Sequence, residues 1–112
     1  MQIFHNPRCS KSRNTLALIK EKGVEPKVIL YLETPPTEDE LRAIVKKLAI
    51  PAEQLIRKNE AIFKEHFAGK TLDEDACIKA MVKFPKLIER PIVISDQKAV
   101  IGRPPENVLE LL

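Results

Sequence analysis

The N-terminal third of the chain combines two short apolar runs with one segment of helical periodicity. This pattern predicts a strand at Gln2–His5, a helix that begins at Ser10 or Lys11 and ends near Gly23, and a buried strand at Lys27–Leu32. The apolar face of the helix contains Leu16, Leu18 and Ile19. Because a helix separates the two strands, we expect them to be parallel neighbours in a right-handed β-α-β unit.

The middle of the chain changes to a helical periodicity that is interrupted several times. Thr37 precedes Glu40 by three residues, which is the spacing of a capping box at the start of a helix over Glu38–Leu48. Three further helical segments are predicted at Pro51–Ile56, Glu60–Phe67 and Asp73–Lys83. Together these elements predict a helical insertion at about 37-84.

The C-terminal part of the chain returns to strand-like runs. Pro91–Ser95 and Ala99–Ile101 predict two strands, and the short connection between them predicts an antiparallel hairpin. Pro104 suits the first turn of a final helix. We expect four apolar side chains of this helix to pack on the sheet: Val108, Leu109, Leu111 and Leu112. The order of elements predicts one α/β domain over 1-112, with a mixed sheet and flanking helices.

Composition and charge narrow the possible classes of function. The 112 residues are 44% hydrophobic and 31% charged, as in an ordinary globular domain. The formal net charge is only +3, and basic residues are mixed with acidic ones, which argues against nucleic-acid binding. The N-terminus lacks a signal-peptide pattern, and no run approaches about 18 apolar residues. We therefore expect a cytoplasmic protein that does not bind membranes.

The loop between the first strand and the first helix contains the main candidate for chemistry, Cys9. Backbone N–H groups at the start of the helix would face its thiol, and Arg8 and Arg13 add positive charge. Ser10 or Ser12 can donate hydrogen bonds. Such surroundings lower the pKa of a thiol and also bind oxyanions. The alternative is a buried structural cysteine whose neighbouring serines only cap the helix.

Outside this loop, His5 and three arginines are candidates for the same site. His5 is either an electrostatic or hydrogen-bond partner that lowers the pKa of Cys9, or a partly buried residue satisfied by backbone. A guanidinium group stays charged and makes paired hydrogen bonds to a tetrahedral oxyanion, although a single arginine is most often a solvated surface residue. The three arginines are Arg57, Arg90 and Arg103.

Five segments that span nearly the whole chain resemble the glutaredoxin-linked arsenate reductases. These segments are His5–Leu16, Val28–Pro36, Leu55–Asn59, Glu89–Val93 and Gly102–Pro105. The resemblance implies a thioredoxin-like fold, a mixed β-sheet with flanking helices and a helical insertion. It also implies that Cys9 is the catalytic cysteine, that His5 tunes its thiol, and that Pro91 is a cis proline beside the active site. The oxyanion-binding arginines of the family fall on Arg57, Arg90 and Arg103.

The resemblance further implies a reaction and its reductants. Cys9 would attack arsenate to form a covalent adduct, and glutathione would then attack that adduct. Glutaredoxin would discharge the glutathionylated intermediate, which releases arsenite and restores the enzyme. Glutathione is thus expected as a reducing co-substrate, glutaredoxin as a partner, and no cofactor or metal as a bound group.

Single positions in the sequence argue against other classes of thiol enzyme. Ser12 stands where a C-x-x-C dithiol oxidoreductase needs cysteine, and Thr15 stands where a C-x5-R phosphatase-like enzyme needs arginine. Cys77 lies in an apolar helical pattern, which favours core packing over a resolving role. A Cys/His zinc site is disfavoured because His66 and Cys77 lack a recognisable ligand spacing. Two alternatives stay open: a related thiol enzyme acting on another oxyanion or a disulfide substrate, and a non-catalytic regulator of the same fold that binds RNA polymerase.

Overall fold

Four short strands form one mixed sheet in the computed structural model, which describes residues 1–112. The strands are β1 (Gln2–Phe4), β2 (Lys27–Ile29), β3 (Ile92–Ile94) and β4 (Ala99–Ile101). Their order is β2-β1-β3-β4, with β1 parallel to β2, antiparallel to β3, and β3 antiparallel to β4. The predicted β-α-β unit and C-terminal hairpin are therefore confirmed.

The second strand is shorter and more exposed than the sequence predicted. A buried strand over Lys27–Leu32 is wrong, because β2 ends at Ile29 and Lys27 and Val28 are exposed. The physical reason is that β2 lies at the edge of the sheet and the chain then turns away. The residues that follow Ile29 in the apolar run lie in this turn instead of in a strand. There the buried ring of Tyr31 stacks on Phe4, with ring centroids 5.9 Å apart.

Two helical elements accompany the sheet in this part of the chain. Helix α1 covers Ser10–Glu21, and a 3₁₀ helix covers Pro105–Leu111. They contribute Ile19 and Val108 to a core that also contains Ile3 and Val93. This core places the start of α1 beside the carboxyl end of β1.

The final helix corrects one packing prediction. The sequence predicts four leucine and valine side chains on the sheet, but only Val108 is buried and Leu111 half-buried, whereas Leu109 and Leu112 are 44% and 41% exposed. A 3₁₀ helix has three residues per turn, so residues three apart share a face. Val108 and Leu111 therefore point to the core together, and Leu109 and Leu112 lie on another face.

The residues divide into two compact units, of which the sheet and its two helices form the first. That unit contains Met1–Thr34 and Arg90–Leu112, and the second contains Pro35–Glu89. The second unit holds helices α2 (Glu38–Leu48), α3 (Ala52–Leu55), α4 (Ala61–Phe67) and α5 (Glu74–Lys83), and a 3₁₀ turn at Pro85–Leu87. The predicted insertion at about 37-84 falls within it, and the description of 1-112 as one domain stays a prediction. None of the helices is long and apolar enough to cross a membrane.

The first helix of the second unit starts as its sequence predicts. The Thr37 hydroxyl accepts a hydrogen bond from Glu40 N–H at 3.1 Å, and the Glu40 carboxylate accepts one from Thr37 N–H at 3.2 Å. This capping box satisfies two backbone donors at the start of α2. The apolar face of α2 is buried, which confirms the predicted helix.

Back in the first unit, Gly102 lies where α1 approaches the segment before β3. Its N–H donates to Pro91 O at 2.9 Å, and its carbonyl accepts from the Thr15 hydroxyl at 3.3 Å. A Cβ atom added at this glycine would lie 2.6 Å from Thr15 Oγ1 and 2.9 Å from Pro91 Cγ. There is no room for a side chain at this position.

We expect Gly102→Ala to lower the free energy of unfolding by about 1–3 kcal/mol, because overpacking must push α1 and Pro91 apart. Chemical denaturation of the wild type and the variant measures this loss. The same substitution should cost less in a Thr15→Ala background, which removes two of the three close contacts. An equal cost in both backgrounds would show that steric overlap with Thr15 is not the cause.

Candidate active site

Cys9 is the N-cap residue of α1. Its backbone is extended, with φ −97° and ψ 122°, its N–H donates to Asn6 O at 3.0 Å, and its carbonyl accepts the Arg13 N–H at 3.0 Å. The side chain is 8% exposed. The thiol thus lies at the positive end of the helix dipole, as the sequence predicted, where a thiolate is stabilised.

The surroundings of the Cys9 thiol favour its ionised form. Burial raises the pKa of Cys9, but four other effects together outweigh it. The lowering effects are, in order, the hydrogen bond from the Ser12 N–H, the charge of Arg90, the hydrogen bond from the Lys11 N–H and the charge of Arg103. The pKa of Cys9 therefore lies below its ordinary value. A lowered pKa supports the reactive interpretation of Cys9 over the structural one.

Arg103 is the arginine in direct contact with the thiol. Its Nη2 donates to Cys9 Sγ at 3.4 Å, and its Nε donates to Arg90 O at 2.7 Å. The two predicted oxyanion ligands of the first unit, Arg90 and Arg103, are therefore brought together at Cys9. The Arg90–Pro91 peptide bond is cis, as the resemblance implied, and Arg103–Pro104 is also cis.

Ser12 connects the predicted histidine to the helix start. Ser12 is fully buried, and its Oγ lies 2.6 Å from His5 Nδ1 and accepts a hydrogen bond from Asn6 N–H at 3.0 Å. Since the Ser12 N–H also stabilises the Cys9 thiolate, His5 is connected to Cys9 through this serine. Asn6 is a contributor that the sequence did not single out, although an asparagine before proline is a turn signal.

His5 is a neutral partner in this arrangement. Burial lowers the pKa of His5, and the charges of Arg13 and Lys20 lower it further. The imidazole is therefore uncharged near neutral pH. Of the two predicted modes of action, this favours hydrogen bonding over electrostatic attraction of the thiolate.

The remaining predicted residues of the loop differ in their contacts. The Arg13 guanidinium donates to Pro7 O at 2.9 Å, which holds the loop against the first turn of α1. Ser10 is exposed at the first position of the helix, and Arg8 is exposed beside Cys9. Arg13 and Ser12 thus have defined contacts, whereas the supporting role predicted for Ser10 stays a prediction.

Two predicted residues belong to the second unit. Arg57 makes an ion pair with Glu60 at 2.5 Å and donates to Lys86 O at 3.4 Å, so its oxyanion-binding role stays a prediction. Cys77 is 1% exposed on α5, as expected for a core residue. Burial raises the pKa of Cys77, and nearby carboxylates including Glu53 raise it further, which makes this thiol a poor nucleophile.

The rate of Cys9 alkylation should reach half its maximum below about pH 8.5, the pKa of an unperturbed cysteine. The thiolate is the reacting form, so a lowered pKa moves the whole rate profile to lower pH. Iodoacetamide labelling followed by peptide mass spectrometry measures Cys9 and Cys77 separately. A midpoint for Cys9 at or above that of free cysteine would contradict the assignment of a stabilised thiolate.

Known proteins resemble this chain over nearly its full length. The ArsC family model matches residues 4–111. The uncharacterized protein YfgD of Escherichia coli K12 is 55% identical, over 100% of this chain and 96% of its own. The arsenate reductase of Haemophilus influenzae is 46% identical, over 98% of this chain and 97% of its own.

A solved structure supports the same relationship. The arsenate reductase from Vibrio cholerae superposes with a TM-score of 0.95 at 48% identity, and the match covers 99% of this chain and 96% of that one. The predicted fold class, a thioredoxin-like mixed sheet with flanking helices, is therefore confirmed.

Proposed function

This chain belongs to the ArsC family, and from that membership and the thiol site at Cys9 we propose that it reduces arsenate to arsenite. The observation that carries the proposal is the 3.4 Å contact between Arg103 Nη2 and Cys9 Sγ. It combines a stabilised nucleophile with a donor for the oxygens of a tetrahedral anion. Relatives described as arsenate reductases are 44% to 46% identical over nearly their whole length.

The first step is the attack of the Cys9 thiolate on arsenic. A sulfur–arsenic bond forms, and one arsenate oxygen takes up protons and leaves as water. Arg103 and Arg90 neutralise the negative charge on the remaining oxygens, which is the role of preorganised donors in such displacements.

The second step transfers two electrons to arsenic. The thiolate of glutathione attacks the Cys9 sulfur, so that a disulfide bond forms and the sulfur–arsenic bond breaks. The electron pair stays on arsenic, which leaves as trivalent arsenite. A glutaredoxin thiolate then removes the glutathionyl group from Cys9 and restores the enzyme.

An external thiol is required because the first unit contains no second cysteine, and Ser12 occupies the position where a neighbouring resolving thiol would stand. Cys77, whose pKa is raised, is a poor substitute. We therefore assign glutathione as co-substrate and glutaredoxin as partner, with no bound cofactor. A reducing cytoplasm, which keeps Cys9 as a free thiol and supplies both reductants, is the proposed location.

A coupled assay tests this proposal. Purified protein is mixed with glutathione, glutaredoxin, glutathione reductase and NADPH, and NADPH consumption is followed before and after addition of arsenate. We expect consumption that depends on arsenate and yields arsenite in equal amount. The absence of arsenate-dependent turnover would exclude this activity and favour either another substrate or the regulatory function.

A further inference from the structure

The position of the Arg103 side chain at the site depends on the turn at residues 101–103. Arg103 is exposed, and a free arginine side chain has many rotamers, so its position depends on how its backbone is fixed. Four successive contacts surround the turn: Gly102 N–H to Pro91 O at 2.9 Å, Arg103 N–H to Ile101 O at 2.9 Å, Thr15 Oγ1 to Gly102 O at 3.3 Å, and Arg103 Nε to Arg90 O at 2.7 Å.

A single amide closes this turn from the C-terminal side. The Asn107 Nδ2 group donates to Ile101 O and to Arg103 O, both at 3.1 Å. These carbonyls lie on either side of Gly102, so one side chain bridges the start and the end of the turn. The half-buried amide uses both of its hydrogens in these two bonds.

We propose that Asn107 is a positioning residue, which fixes the turn that carries Arg103 and thereby sets where the guanidinium group meets the Cys9 sulfur and an incoming anion. This inference rests on the proposed function only where it predicts a change in the KM for arsenate. Its effect on the Cys9 thiol does not depend on the substrate.

The side chain of Asn107 is separable from the backbone bonds of its own helix. The Asn107 N–H donates to Pro104 O at 3.0 Å, and this bond does not involve the amide side chain. The side chain instead reaches back four and six residues, to Arg103 and Ile101. A substitution at this position therefore loosens the Arg103 turn while the backbone pattern of Pro105–Leu111 is retained.

Asn107→Leu removes both donors and keeps the number and branching of the side-chain heavy atoms. We expect the Cys9 alkylation profile to move to higher pH, with the rate at pH 6 reduced about twofold, and the KM for arsenate to rise about tenfold. Gln97→Leu, which removes an exposed amide in the β3–β4 turn, is the matched control and should change neither quantity. Asn107→Ser keeps one donor, a hydroxyl group, and should give an intermediate alkylation profile. This variant provides the test if the leucine variant does not fold.

A double-mutant cycle separates positioning from a merely structural role. In an Arg103→Ala background, Asn107→Leu should have no further effect on the Cys9 profile, because the group through which it acts is gone. An equal shift in both backgrounds, or an unchanged profile in the single variants, would overturn the inference. If the wild type does not reduce arsenate, the alkylation measurements still decide the role of Asn107, so its failure and that of the proposed function are distinguishable.

Discussion

Cys9→Ser is expected to abolish arsenate-dependent turnover, with a loss of roughly a thousandfold or more. A serine hydroxyl is not ionised near neutral pH, so neither the helix start nor Arg103 can present it as an anionic nucleophile. The oxygen is smaller than the sulfur and fits the same space, and serine is a favoured N-cap residue, so the fold around the N-cap should be retained. The coupled NADPH assay measures the loss, and circular dichroism checks the fold.

Cys77→Ala is the matched control for this change. It removes the other thiol, which is buried on α5 and has a raised pKa. Turnover should stay within about twofold of the wild type, since a buried alanine replaces a residue that acts as a small hydrophobe. Turnover that survives Cys9→Ser and disappears with Cys77→Ala would reverse the roles of the two cysteines.

Arg103→Ala should reduce kcat/KM for arsenate about a hundredfold, the magnitude typical of losing one preorganised donor to a developing charge. The substitution removes the Nη2 donor to Cys9 Sγ and part of the positive charge that lowers the pKa of Cys9. The thiolate fraction near neutral pH should fall as well. Steady-state kinetics and the alkylation profile measure the two effects independently.

Two further substitutions define what Arg103 supplies. Arg103→Lys keeps the charge but not the planar fork of donors, so it should restore the Cys9 alkylation profile more fully than kcat/KM. Arg42→Ala, at an exposed ion pair with Asp75 in the second unit, is the control for loss of an arginine and should have little effect. Kinetics of Arg103→Ala equal to those of the wild type would remove this residue from the site.

The main elements of the first unit could be predicted because their signals are local. The apolar runs around Ile3, Val93 and Val100 predict strands, and the short connection after Ile94 requires a hairpin. The helix over Glu38–Leu48 carries its own capping signal. Local signals do not report tertiary position, which is why the edge location of β2 and the role of Tyr31 in the turn were missed.

In the candidate site, the features local to Cys9 could be predicted from the sequence, but the long-range contacts could not. Part of the lowering of the Cys9 pKa comes from backbone groups within three positions along the chain, which the sequence identified, whereas Arg90 and Arg103 lower it from distant segments. The contact with Arg103 joins residues 94 positions apart, and only the resemblance to a family brought them together. Thr15 and Asn107 received no role from the sequence, because a hydroxyl or amide that bonds a distant carbonyl has no local pattern. The sequence signal available for the turn before Arg103 was Gly102, one of three glycines in the chain.

The most direct test of the central claim is the covalent state of Cys9 during turnover. The protein is mixed with arsenate and one equivalent of glutathione, without glutaredoxin, quenched with acid, and analysed by intact-protein and peptide mass spectrometry. We predict a glutathionyl group on Cys9 that forms only when arsenate is present and is absent from Cys9→Ser. Arsenite formation with an unmodified Cys9, or the same modification in the absence of arsenate, would contradict the account.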